Sequence, residues 1–332
     1  MIEKIILNTS GYDSFINMCN LKSISTTDIK TLLETDAYNK AITLMGKNWG
    51  LPSKNQWIDY FSVGFNCSDV KKDISSLCPV QKQGAEHISK AIAHINQLAS
   101  TKNRMVYSVE TKEFIKIVSN YVPSDAFPNS LEIIPLVFAP NAGGNESIIM
   151  DTLFLSKFTN DEISRILAHE LHHILRNKIE VQYIWKDDFK DVGQALFWFE
   201  SEGIADLCNF NETAKIYSDF GYATPGKIND VLQNISYYIN ETDTIIVHIL
   251  EGRKPPKELL SFLSKDVKFH VIGYFLAKTI SDTLGNQEIA NSVGDPLAFL
   301  NLYQKACKMN KTENELAFSN EMMTLLKSAY FK

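Results

Sequence analysis

His169, Glu170 and His173 stand in the order H-E-x-x-H inside a segment whose apolar residues recur at helical spacing. Two histidines four residues apart lie on one face of a helix, about one turn from each other. Neutral imidazoles so placed can share a single Zn2+, and the glutamate between them is set to act on a water at that metal. His172 is not expected to be a ligand, because its side chain lies about 100° round the helix from that of His173. A structural or supporting role is expected for it instead.

Catalytic zinc commonly takes three protein ligands and leaves a fourth position to water, so one more donor is needed. The extended metzincin motif would require glycine and histidine where this chain has Arg176 and Ile179. The inverted order H-x-x-E-H also fails, since position 172 is histidine. A glutamate on a following helix is the remaining common solution, and Glu200-Ser201-Glu202-Gly203-Ile204-Ala205-Asp206 offers it. Glu202 and Asp206, four apart, share a helix face. Glu202 is the expected third ligand, with Asp206 accepting the outer N–H of a ligating histidine. Glu200 lies about 200° round the helix from Glu202 and is the weaker candidate.

Taken together, His169, Glu170, His173, Glu202 and Asp206 resemble the motif of the gluzincin metallopeptidases, the thermolysin-like group in which H-E-x-x-H is followed by E-x-x-x-D. The resemblance is tight from His169 to Asp206 and loose outside that block. The overall layout is also similar to that of a bacterial family of zinc-dependent peptidases. This implies hydrolysis of peptide bonds with one Zn2+ per chain, and with Glu170 as general base and then acid. It implies a hairpin or small sheet ahead of the active-site helix, whose edge strand pairs with extended substrate. It further implies an oxyanion donor, histidine or tyrosine, from a helix well downstream.

For that donor, His270 and Tyr274 share a helix face around Gly273, a residue that permits close approach of another element. Tyr274 is slightly favoured, because a tyrosine O–H stays a donor at neutral pH. Glu132, Glu146 and Asp151 are acids near the expected edge strand that could hold a substrate amine. Two readings compete with the peptidase. One is a zinc-containing binding or regulatory module, against which the intact Glu170 argues. The other is a zinc amidohydrolase with a non-peptide substrate.

These residues need a scaffold, and the chain supplies a mostly α-helical α+β pattern. Leu131–Phe138 and Ser147–Phe154 are β-rich and flank the turn signal Asn141-Ala142-Gly143-Gly144, which reads as a small antiparallel hairpin. Pro135 restricts its strand to an edge or a bulge. Thr159 caps a helix through Arg176, with Asp161 and Glu162 in the first turn where the helix dipole favours acids. Helical spacing also covers Thr26–Leu44, Gly84–Leu98, Val109–Tyr121, Asp191–Phe210, Lys227–Tyr238, Lys268–Leu284, Pro296–Lys308 and Thr312–Lys327.

A single zinc-peptidase-like domain over 1–332 is expected, with a helical N-terminal layer (1–125), a sheet plus zinc-binding helices (126–215) and a helical C-terminal part (216–332). A net charge of −6 with 22% charged residues provides no basic patch for nucleic acid. The longest apolar runs, such as Ile245-Ile246-Val247, fall far short of the roughly 20 residues that span a bilayer. Five scattered cysteines without a CxxC pair support neither a disulfide framework nor a thiolate zinc knuckle. No signal peptide is apparent, so a cytoplasmic protein acting on peptide or protein substrates is the expectation.

Overall fold

The computed structural model describes residues 2–46, 49–70, 72–310 and 316–331. Strand β1 (Lys4–Leu7) leads into helices α1 (Ser10–Cys19), α2 (Thr26–Leu33), α3 (Asp36–Met45), α4 (Lys54–Gly64), α5 (Pro79–Ala93), α6 (Ile95–Thr111) and α7 (Glu113–Val118). Strands β2 (Ser130–Leu136), β3 (Ala142–Gly144) and β4 (Ile148–Asp151) precede α8 (Thr152–Leu155) and α9 (Asn160–Lys178). Then come β5 (Ile184–Trp185), α10 (Lys190–Asp219), α11 (Lys227–Gln233), α12 (Ile235–Leu250) and α13 (Lys257–Ser264). Helices α14 (Lys268–Leu284), α15 (Asn286–Ser292), α16 (Pro296–Met309) and α17 (Asn320–Leu326) and strand β6 (Tyr330–Phe331) complete a mostly helical α+β fold. No helix among the described residues is long and apolar enough to cross a membrane.

Two compact units are present: Met1–Phe114 with Pro128–Glu170, and Ile115–Phe127 with Leu171–Lys332. In the first, the strands lie in the order β1-β2-β4-β3. The β1–β2 and β2–β4 pairs are parallel and only β3–β4 is antiparallel. This corrects the expected antiparallel hairpin. The segments 131–138 and 147–154 run side by side in the same direction, and the true hairpin joins β3 to β4.

The sequence reads as a turn at Gly143-Gly144, yet these glycines form the outer strand. The missing side chain of Gly144 lets backbone approach backbone: a Cβ there would fall 2.0 Å from the carbonyl oxygen of Glu170. Strand β2 lies between β1 and β4 and is not the edge strand expected from Pro135; the proline is accommodated because β1 ends at Leu7, opposite Ile133, so that at Pro135 β2 is paired with β4 alone. The proline's lacking N–H therefore costs no ladder bond.

The core of this unit gathers Trp57, Tyr60, Phe61 and Phe138, with the Trp57 and Phe138 rings stacked at 6.0 Å. Buried Tyr38 and Tyr60 satisfy their hydroxyls on the Val137 and Phe138 carbonyls. Asp151 accepts the amides of Phe138, Ala139 and Phe154 and lies 2.9 Å from His87 Nε2.

Helix α9 opens with a reciprocal capping box: Thr159 N–H donates to Glu162 Oε2, and Glu162 N–H to Thr159 Oγ1. In the second unit α10 and α14 cross at a pair of glycines. A Cβ on Gly203 would fall 2.3 Å from Gly273 O, and one on Gly273 would fall 2.8 Å from Phe199 O. Helix α10 continues nine residues past the expected end at Phe210, through a non-helical Asn209 (φ −154°, ψ 28°). Of the helix expected at Thr312–Lys327, residues 312–315 lie outside the described residues, and α17 starts after the Ser319 cap.

Candidate metal centre

His169 and His173 project from α9 and Glu202 from α10, and one donor atom from each lies within 4.8 Å of the other two. His173 Nε2 is 3.4 Å from Glu202 Oε2. His169 and Glu170 are buried, while the side chains of His173 and Glu202 keep 16% and 20% of their surface exposed, so the cluster is reachable from solvent. Two imidazoles and a carboxylate are a donor set that zinc takes at open sites with one position left for water. The residues therefore fit the ion that the motif implies.

The second ring nitrogen of His173, Nδ1, lies 3.1 Å from the hydroxyl of buried Ser201. Sequence spacing gave no reason to single out Ser201, although its place just before Glu202 puts it beside the same histidine. His172 is fully buried, edge-on to the ring of His173 at 5.8 Å. Glu170, between the two histidines, has its backbone carbonyl under Gly144 of the outer strand β3.

Glu200 is tied elsewhere. Its Oε2 accepts from Arg176 Nε at 2.9 Å and its Oε1 from Gly294 N–H at 2.8 Å. Burial pushes its carboxyl pKa up against the opposing pull of the guanidinium. Arg176 also pairs with Glu180 and lies 4.3 Å from the centre of the Phe197 ring.

Asp206 takes hold of His270. Its Oδ2 lies 2.8 Å from His270 Nδ1, and its Oδ1 accepts the Thr213 hydroxyl at 2.9 Å. The other ring nitrogen of His270 is 2.7 Å from the Tyr217 hydroxyl and 3.8 Å from Glu202 Oε2. His270 thus borders the ligand cluster. Tyr274, one turn on, lies with its ring face to face on Phe210 at 3.8 Å, and burial raises its hydroxyl pKa.

Thr213 and Tyr217 lie beyond the helix expected at Asp191–Phe210. The signal was present: Glu202, Asp206, Thr213 and Tyr217 fall within about 60° on one helical stripe. Of the acids considered for a substrate amine, Asp151 is committed to backbone amides and His87. Glu132 holds Asn8, Lys40 and Ser147; burial raises its pKa, but these hydrogen bonds outweigh it and bring the pKa below the ordinary value. Glu146 is exposed on the bend between β3 and β4.

A family model described as "Putative zinc dependent peptidase (DUF5700)" matches residues 29–312. Neither a curated protein nor a solved structure matches the chain.

Proposed function

The chain belongs to the family so described, and on that premise we propose that it is a single-zinc hydrolase of peptide bonds, of gluzincin type. The observation that carries this reading is that His169, His173 and Glu202 bring one donor atom each within 4.8 Å of one another, with Glu170 next to His169 on the same helix. Support for an extended peptide substrate comes from β3, an outer strand whose backbone lies directly against α9 at Glu170. An edge of this kind pairs readily with an added strand.

His169, His173 and Glu202 would hold a zinc ion, which would supply Lewis acidity toward a water and a substrate carbonyl. Glu170 accepts the water's proton and later delivers it to the leaving amine. In the tautomer that carries its proton on Nδ1, donated to Asp206, His270 presents Nε2 as an acceptor to the Tyr217 O–H. Turning that O–H onto a developing oxyanion exchanges a neutral hydrogen bond for a charge-assisted one. Tyr217, steered by His270, is therefore the donor in this reading, in place of Tyr274.

Metal analysis combined with cleavage mapping on a mixed peptide library tests it. One zinc per chain is expected in the wild type and little in His173→Ala. Glu170→Gln should keep its zinc and lose about 10²- to 10⁴-fold in turnover. Full zinc content in Glu202→Ala would overturn the ligand set. Zinc without cleavage of any library peptide would favour a binding module, and cleavage confined to non-peptide amides would favour an amidohydrolase.

A further inference from the structure

Three consecutive residues of α10 each hold a side chain of the C-terminal half of α9. Glu200 binds Arg176 at 2.9 Å, Ser201 lies 3.1 Å from His173 Nδ1, and Glu202 lies 3.4 Å from His173 Nε2. The imidazole of His173 is thus gripped on both nitrogen edges by neighbouring residues of one helix. We propose that Ser201 is a positioning residue for the metal centre, whose hydroxyl accepts the Nδ1–H of His173 and so fixes the tautomer that leaves Nε2 free for zinc. This rests on the reading of His169, His173 and Glu202 as the ligand set.

The direction of the bond follows from the chemistry of the ligand. An imidazole binds zinc through an unprotonated nitrogen, and Nε2 is the one that faces Glu202. The ring proton must then sit on Nδ1, where the Ser201 oxygen is its acceptor. Ser201 is 1% exposed, so water does not readily replace the hydroxyl if it is lost. Such partners of ligating histidines are most often carboxylates, backbone carbonyls or water. A neutral hydroxyl orients the ring without adding charge, so Glu202 contributes the single negative charge of the ligand set and the bound ion stays a stronger Lewis acid.

Position is secured by the neighbours. The Arg176–Glu200 pair fixes the register of α10 one residue before Ser201, and the Gly203–Gly273 contact fixes it two residues after. Ser201 therefore has little freedom to turn away from the ring.

Zinc affinity, measured by competition with a chromophoric chelator, separates this role from catalysis. Ser201→Ala should bind zinc about 10- to 100-fold more weakly than wild type, and Ser201→Thr, which keeps the hydroxyl, should stay within a few-fold of it. Circular dichroism establishes that each variant is folded; should Ser201→Thr misfold, Ser201→Cys takes its place with an intermediate affinity expected. A Ser201→Ala protein that binds zinc as tightly as wild type overturns the inference. Equal weakening in the hydroxyl-bearing variant also overturns it, since packing would then be the cause. A wild type that binds no zinc removes the ligand set itself and is thereby told apart from failure at Ser201.

Discussion

Glu200, Glu202 and Asp206 lie within seven residues of one another, and what each carboxylate does is decided by its partners. Glu200 is fully buried and is matched by a guanidinium, because a buried charge left unpaired costs several kcal/mol. Glu202 keeps a fifth of its side-chain surface open and faces two imidazoles. Asp206 is buried and distributes its two oxygens over Thr213 and His270. The same logic separates two tyrosines. Tyr217 ends on a nitrogen of His270 at the border of the ligand cluster, whereas Tyr274 lies on the face of Phe210. We expect Tyr217→Phe to lower kcat by about 10²- to 10³-fold, the loss typical of one oxyanion donor, with KM and zinc content little changed. Tyr274→Phe should leave kcat within a few-fold of wild type. Steady-state kinetics on a peptide identified by cleavage mapping checks both, and the reverse pattern would return the donor role to Tyr274.

The register of α10 against α14 brings Asp206 to His270, and that register depends on a glycine pair. A glycine in the middle of a helix ordinarily costs about 1 kcal/mol relative to alanine, so Gly→Ala at an unconstrained position stabilises. At Gly273 the new Cβ would meet the Phe199 carbonyl at 2.8 Å and the Gly203 Cα at 3.1 Å, both backbone atoms with little room to yield. Overpacking of this kind costs about 1–3 kcal/mol and outweighs the propensity gain. Gly273→Ala should therefore lower Tm and also reduce kcat, by pulling His270 from Asp206; a raised Tm in a thermal melt would refute the close crossing.

Much of this layer was legible. The bounds of α14, the cap of α9 and the face shared by Glu202 and Asp206 follow from periodicity and capping chemistry alone. What was not legible has a physical cause in each case. Apolar spacing runs unbroken through Glu34-Thr35, where the chain turns out of helix to start α3. It also runs past His94 and the left-handed Lys112, which divide α5, α6 and α7. The parallel pairing of β2 with β4 is a tertiary contact between residues 133–136 and 148–151 that local sequence does not encode. Ser201 carries no motif, and Thr213 and Tyr217 join the stripe of Glu202 and Asp206 only because α10 runs on past Phe210.

At the scale of the molecule, the border between the two compact units falls in an unusual place. Domain borders normally lie in exposed, flexible linkers. Here the chain passes from one unit to the other three times: once in the loop between Phe127 and Pro128, but also between Phe114 and Ile115 inside α7 and between Glu170 and Leu171 inside α9. The crossing at Glu170–Leu171 splits H-E-x-x-H itself, with His169 and Glu170 in one unit and His173 in the other. The interior of α9 is buried on both sides of the crossing, from Ala168 to His172. Melting one unit alone would have to end a 19-residue helix midway, expose its apolar positions and leave carbonyls and amides of the cut turn unsatisfied. We therefore propose that residues 1–332 form one cooperative domain. Differential scanning calorimetry on the apo protein should give a single transition whose calorimetric and van't Hoff enthalpies agree. Excess zinc should move that whole transition upward, because an ion bound only by the folded state stabilises it by mass action. Two resolved transitions, with only one of them responding to zinc, would show instead that the units melt independently and that α9 can be parted at its metal-binding turn.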